Sequence, residues 1–236
     1  MRTHEDQKTR KKRTSSLQDI THTDLSSEGI CFFADQLAKK HYLSPAEAEE
    51  AVFSFLRQLF EEKVELYLTV IFKEKPDMIS AEHSERLKAI TRGIFRAAVY
   101  GNISIVYNAD QHEAFGEFIN KIFCELESDK REFNGYIKKG VIISTPSDIL
   151  VSNKRGIDFL CIDLDKMIPH LLCCSKAQDN TRKIYMHGKF DTLCATLAEY
   201  FSDVKQPVRI MCSTTSDSFI STLASTLDAE EIIITG

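Results

Sequence analysis

Asp158, Asp163 and Asp165 fall within eight residues of one another around the apolar run Phe159–Ile162, and Lys166 follows at once. Asp163 and Asp165 are alternate residues at what reads as a strand end. Their carboxylates would then point the same way and, with Asp158, could offer oxygen ligands to a hard divalent cation. Solvated loop acids are the plainer reading, so no metal site is assigned and Asp163 and Asp165 stand only as weak metal candidates. Lys166 and Lys176, with Asn180 close behind, could bind a small anion or could be ordinary surface side chains. Cys212 ends an apolar run beside Ser213 and Thr214, where a thiol could react; packing as a small buried hydrophobe is the simpler role. Ser213-Thr-Thr-Ser216 could bind phosphate through hydroxyls and backbone N–H groups, but a helix N-cap explains the same residues. The seven His have no metal-binding spacing, no Ser/His/Asp arrangement can be argued, and a Gly-rich nucleotide loop is absent.

The rest of the composition narrows the class. A chain of 236 residues that is 43% hydrophobic can bury a large core. No apolar run approaches the roughly 18 residues of a membrane span, and the charged N-terminus does not read as a signal peptide. A cytoplasmic protein is the expectation. Seven Cys, an odd number placed mostly in apolar runs, argue against a disulfide framework. Residues 1–13 carry six Lys/Arg against two acidic residues, a net +4 in a chain of −5 overall. Such an arm could touch an anionic surface, but the body is acidic and the arm has no aromatic residue, which disfavours nucleic acid.

These residues must be positioned by a repeating pattern of strands and helices. Residues 1–27 read as a polar, basic tail. After it, Ile30–Phe33 is a short strand, and Ser44-Pro45 with Glu47 opens a helix as a capping box. Val64–Phe72 reads as a strand, and a third strand is expected near Met78-Ile79, where the apolar signal is weak. A helix over Arg86–Tyr100 is expected to close at Gly101. Ile103–Tyr107, Val141–Ser144, Phe159–Ile162, Val208–Cys212 and Glu231–Thr235 read as further strands, with helices over His112–Lys130, Phe190–Tyr200 and Phe219–Leu227. A short helix is expected between Val141–Ser144 and Phe159–Ile162. The rhythm predicts an α/β protein of the (β/α)8-barrel type over residues 28–236. An incomplete barrel is within this expectation, given a weak third strand and no final helix, and its site would lie at the strand ends.

The second half resembles the C-terminal barrel of enzyme I of the bacterial phosphotransferase system, a phosphoenolpyruvate-utilising enzyme. Arg92-Gly-Ile-Phe-Arg96-Ala-Ala-Val-Tyr-Gly101-Asn-Ile-Ser104-Ile-Val-Tyr107 is similar to the family's R-A-I-L-R-A-S-A-x-G-x-L-R-I-M-F. Gly140-Val-Ile-Ile-Ser144-Thr-Pro146 is similar to G-V-M-I-E-x-P, and Asp158–Met167 to D-F-F-S-I-G-T-N-D-L. Met211-Cys212-Ser-Thr-Thr-Ser-Asp217 falls on C-G-E-x-A-G-D. Residues 29–87 match more loosely, and nothing resembles the family's phosphohistidine domain.

The resemblance implies a Mg²⁺ and phosphoenolpyruvate at the strand ends, held by carboxylates and arginines, with a Cys as proton donor. Ser144 stands at the Glu ligand's place and Lys166 at the Asp ligand's. Ser104 and Lys176 replace arginines, and Met211 replaces the Cys, with Cys212 one residue away on the opposite strand face. Arg92 and Lys176 remain as substrate-binding candidates. Losing both carboxylates removes the metal, so no catalytic residue and no cofactor are expected. What the resemblance then implies is a degenerate, non-catalytic domain that binds or regulates. Its partners would be a second copy, as in the family's dimer, a phosphotransferase-system protein, or phosphoenolpyruvate or another small anion. The alternative is an active phosphoenolpyruvate-dependent phosphotransferase with altered metal ligands, which would need Mg²⁺. In a third reading the basic arm carries the function and the barrel only presents it.

Overall fold

A computed structural model describes residues 29–33, 44–62, 67–72, 81–153, 155–171, 190–212 and 217–234. The tail, Met78-Ile79, Lys176, Asn180 and Ser213–Ser216 lie outside them. The elements in chain order are β1 (Gly29–Phe33), α1 (Pro45–Glu62), β2 (Tyr67–Phe72), α2 (Ala81–Ala97) and β3 (Asn102–Asn108). A 3₁₀ turn (Ala109–Gln111), α3 (His112–Ser128), β4 (Lys138–Ile143), a 3₁₀ segment (Pro146–Asn153) and β5 (Phe159–Asp163) follow. The described chain closes with α4 (Leu164–Leu171), α5 (Phe190–Phe201), β6 (Val208–Cys212), α6 (Asp217–Thr226) and β7 (Glu231–Ile234).

The chain divides into two compact units. The first holds residues up to Ile105 together with Glu113–Ile137, and the second holds Val106–His112 and the residues from Lys138 onward. In the first, β1 pairs with β2 in parallel, and β2 neighbours β3. In the second, β4, β5, β6 and β7 pair in that order, each pair parallel. Sequential parallel order is the arrangement an α/β barrel requires; a doubly wound sheet would reverse direction at a switch point. The strands are apolar on nearly every residue because both faces are covered, as β2, β4, β5 and β6 show.

Local signals explain the helix ends. At α1, the Ser44 N–H donates to Glu47 Oε2 (3.1 Å) and the Glu47 N–H donates to Ser44 Oγ (3.4 Å), the reciprocal pair expected of a capping box. α3 ends with Lys130 at φ 52°, where the Arg131 N–H reaches Leu126 O and the Lys130 N–H reaches Glu127 O, a Schellman motif. α6 ends similarly, with Asp228 at φ 49° and the Ala229 N–H on Ala224 O. Gly101 behaves differently from the expectation of a left-handed cap. Its φ is not positive, and it is instead the surface on which Phe60 lies: a Cβ there would stand 2.2 Å from a ring carbon. Sequence reading also misses α4, because Pro169 sits inside it and reads as a breaker.

In the first unit α2 binds its neighbours through charge as well as packing. Arg96 donates to Glu49 (2.8 Å) and Glu50 (3.1 Å) of α1, and its guanidinium lies 4.1 Å over the Phe53 ring. Arg92, one turn earlier, donates to Glu49 (2.7 Å) and to Asp129 beyond the end of α3, and lies 3.5 Å from Glu125. Lys88 bridges Glu85 and Glu125. Between α1 and α2, backbone approaches backbone at Gly93, where a Cβ would stand 2.6 Å from Glu49 O.

Candidate functional site

The strand ends of the second unit bring several of the singled-out positions together. The register pairs Ile143 with Ile162 and Asp163 with Met211. Ser144 follows Ile143 as Asp163 follows Ile162, so Ser144, Asp163 and Met211 stand side by side where β4, β5 and β6 end. Alternation then puts Cys161 and Arg209 on the same sheet face as Asp163 and Met211. Val141, Ile143, Leu160, Ile162, Val208 and Ile210 fall on the other face. One face is apolar; the other carries Asp163 and Arg209 among apolar neighbours such as Phe159 and Met211. Cys212 pairs with Ile234 and, by the same alternation, falls on the apolar side; its thiol is buried and in no disulfide.

Each strand end is shaped by its own sequence. After β4 the chain turns sharply, and the Asp148 carboxylate accepts from the N–H groups of Ser144 (2.9 Å) and Thr145 (2.8 Å), fixing the turn into the 3₁₀ segment. β5 runs directly into α4, so Asp163 closes a strand while Asp165 lies in the first helical turn. Strand alternation therefore does not relate the two, which corrects the expectation that they point the same way. Asp163 is 5% exposed. From one turn into α4, Lys166 brings its Nζ to 3.3 Å from Asp163 Oδ2, while its own side chain is about half exposed. Asp158 is not part of this group: its carboxylate accepts from the Lys139 N–H (2.8 Å) before β5 begins.

The other end of the same face is a structural pair. Arg209 sits 3.0 Å from Glu231 and 3.8 Å over the Phe159 ring, and Phe159 in turn rests on Gly140, where a Cβ would come within 2.3 Å of the ring. Tyr107, near the end of β3, and His112, at the start of α3, bring Oη and Nδ1 to 2.9 Å with the rings stacked. Burial, reinforced by the charge of Asp158, pushes the Tyr107 phenol up to about 12. Neither group carried a signal in the sequence, since a lone Tyr and a lone His five residues apart match no catalytic spacing.

In the first unit, Ser104 is buried and shares a 3.1 Å hydrogen bond with Thr69 of β2, so a hydroxyl pair occupies what the resemblance makes an arginine position. Arg92 lies on a helix and is committed to three carboxylates. Burial alone would lower its pKa; the hydrogen bonds to Glu49 and Asp129 outweigh that and hold it above its ordinary value. Among the described residues no group of three or more His, Cys, Asp or Glu could hold a metal ion, and no helix is long and apolar enough to cross a membrane. A divalent cation held as the resemblance implies does not fit these residues. One ligand position is Ser144, and the other is a lysine whose ammonium already lies against the nearby carboxylate.

No family model matches the chain. Two phosphoenolpyruvate-protein phosphotransferases are similar to it, from Buchnera aphidicola subsp. Schizaphis graminum (23% identical) and subsp. Acyrthosiphon pisum (21% identical). Both match over 145 residues, 51% of this chain and 25% of the relative. The chain thus spans about a quarter of the length of the curated relatives it matches. Among solved structures, a HpcH/Hpal aldolase/citrate lyase family protein from Burkholderia cenocepacia J2315 matches at TM-score 0.47. It is 10% identical and covers 94% of this chain and 83% of that one. An isomerase from Streptomyces coelicolor A3(2) matches at TM-score 0.45, also at 10% identity, over 87% and 53%. The sequence similarity supports a distant relationship to phosphoenolpyruvate-utilising enzymes.

Proposed function

We propose that this chain is a degenerate, non-catalytic relative of phosphoenolpyruvate-protein phosphotransferase that works by binding or regulation in the cytoplasm. The reading draws its support from the distant sequence similarity and, above all, from one observation. At the end of β5 a half-exposed lysine, Lys166, lies 3.3 Å from the buried carboxylate of Asp163. Phosphoryl transfer from phosphoenolpyruvate of the family's kind requires a divalent cation bridging oxygens of protein and substrate. A lysine in that place supplies one positive charge but has no open coordination positions. It can attract an anion; it cannot organise the in-line transfer.

Under this reading the protein acts through a partner, either a second copy of itself or a phosphotransferase-system protein, with phosphoenolpyruvate or another small anion as a possible effector. The test is direct. Incubated with phosphoenolpyruvate, Mg²⁺ and a phosphocarrier protein, the purified chain is expected to release no pyruvate above a control without protein. Mg²⁺-dependent pyruvate release would establish the active alternative, for which the buried Asp163 would be the first ligand to test.

A further inference from the structure

Exposed tyrosines gather at one end of the first unit. Tyr67 opens β2 at 57% exposure, Tyr100 lies between α2 and β3, and Tyr136, beyond α3, is 97% exposed. Phe60, in the last turn of α1, lies on Gly101, so the end of α1 that leads into Tyr67 sits beside Tyr100. Asn134 donates from its backbone N–H to Phe95 O (3.1 Å) and from Nδ2 to Ala98 O (3.3 Å). Its Oδ1 accepts from the Tyr136 N–H (2.8 Å), which fixes Tyr136 at the end of α2 that Tyr100 follows. Arg57 of α1 lies 4.9 Å over the Tyr100 ring, a cation on an exposed aromatic face.

Chain path and charge point to what covers this end. In the register of β1 with β2, Gly29 is the partner of Tyr67, so residues 1–28 enter the sheet beside the first of these tyrosines. Residues 1–13 hold six Lys/Arg and a net +4. The sixteen residues from Thr14 to Gly29 reach at most about 50 Å, ample for a return across this end. The surface they meet is acidic: residues 57–62 and 125–136 contain six Asp/Glu against three Lys/Arg. Arg92 and Lys88, which reach Glu125 and Asp129 from α2, leave that balance negative. α1 and α3 each end without a basic residue in the last turn, so their C-terminal partial charges add to it.

We infer that the basic arm, residues 2–13, docks across this end of the first unit, its Lys and Arg side chains stacking on Tyr67, Tyr100 and Tyr136. Each exposed ring offers a cation a few-fold gain in affinity, and the arm is held close by its own chain. Nothing in this depends on the loss of phosphotransferase chemistry.

N-acetylimidazole, which acetylates accessible phenols, tests the face in the full chain, read tyrosine by tyrosine by mass spectrometry. Neutralising the arm with Arg10→Gln, Lys11→Gln, Lys12→Gln and Arg13→Gln is expected to raise acetylation of Tyr67, Tyr100 and Tyr136 about threefold. Tyr200, 45% exposed in the second unit, is expected to keep its rate. Trypsin reads the arm itself. Cleavage after Arg10 to Arg13 in the natural protein is expected to run about threefold slower than in a synthetic peptide of residues 1–20, and Tyr100→Ala/Tyr136→Ala to abolish that protection. Equal acetylation in the natural protein and the arm variant would overturn the inference, as would protection that survives the tyrosine substitutions. Protection that grows with protein concentration would also overturn it, by giving the face to a second copy.

Discussion

Among the described residues Tyr107 is the side chain whose ionisation is most displaced from the ordinary. Its folded value is raised from 10.0 to about 12 by burial and then by Asp158. A raised folded value means that the contribution of the neutral phenol is fully present below about pH 10 and is lost as the pH climbs through about 12. An absorbance titration of phenolate is expected to show one tyrosine ionising late, and Tyr107→Phe is expected to remove that late step. Thermal melts of the natural protein should fall more steeply between those pH values than melts of the variant. At this scale the sequence was only partly legible. Ser144, Lys166 and Met211 were visible as departures from a motif, and the register brings Ser144 and Met211 beside Asp163. The ion pair of Lys166 with Asp163 was not visible, because it depends on β5 running without a loop into a helix that Pro169 disguises.

Among the elements, α2 shows how a motif residue can have a different task from the one its motif suggests. Arg92 and Arg96 sit one turn apart and tie α1, α2 and the end of α3 together through Glu49, Glu50, Glu125 and Asp129. Arg96→Met is expected to destabilise the protein by about 1.5 kcal/mol, since it takes one of two arginine partners from a mostly buried Glu49 that keeps Arg92, and denaturant melts would register it. An unchanged midpoint would show that the pair is only a surface convenience. Lys130, held at φ 52° at the end of α3, makes the opposite prediction: Lys130→Gly is expected to raise stability by about 1 kcal/mol by relieving the left-handed strain. Strand and helix positions were legible because parallel strands buried on both faces read as unbroken apolar runs. The cap at Ser44-Pro45-Ala-Glu47 was legible for the same kind of reason, its signal being local. Gly101 was misread since its constraint comes from Phe60, forty-one residues away in the chain, and no local pattern records such a contact.

At the scale of the molecule, each unit has sequential parallel strands, and the second unit gathers a polar cluster at its strand ends. That arrangement and the distant similarity to phosphoenolpyruvate-protein phosphotransferases point to the same ancestry. The resemblance to phosphoenolpyruvate-utilising enzymes implies a divalent cation at such strand ends. The chain offers there a serine beside a capped turn, a methionine, and a buried aspartate already facing a lysine. A scaffold can keep its strand order through such differences because the buried apolar residues on both faces of β4, β5 and β6 carry the packing, whatever stands at the strand ends.

The most direct measurement is a calorimetric titration of the purified chain with phosphoenolpyruvate, run with and without Mg²⁺. No Mg²⁺-dependent heat is expected: either none in both conditions or a weak signal identical in the two, as an anion meeting Lys166 alone would give. Micromolar binding that appears only with Mg²⁺ would contradict the degenerate, non-catalytic reading, since the strand end would then hold the metal that phosphoryl transfer needs.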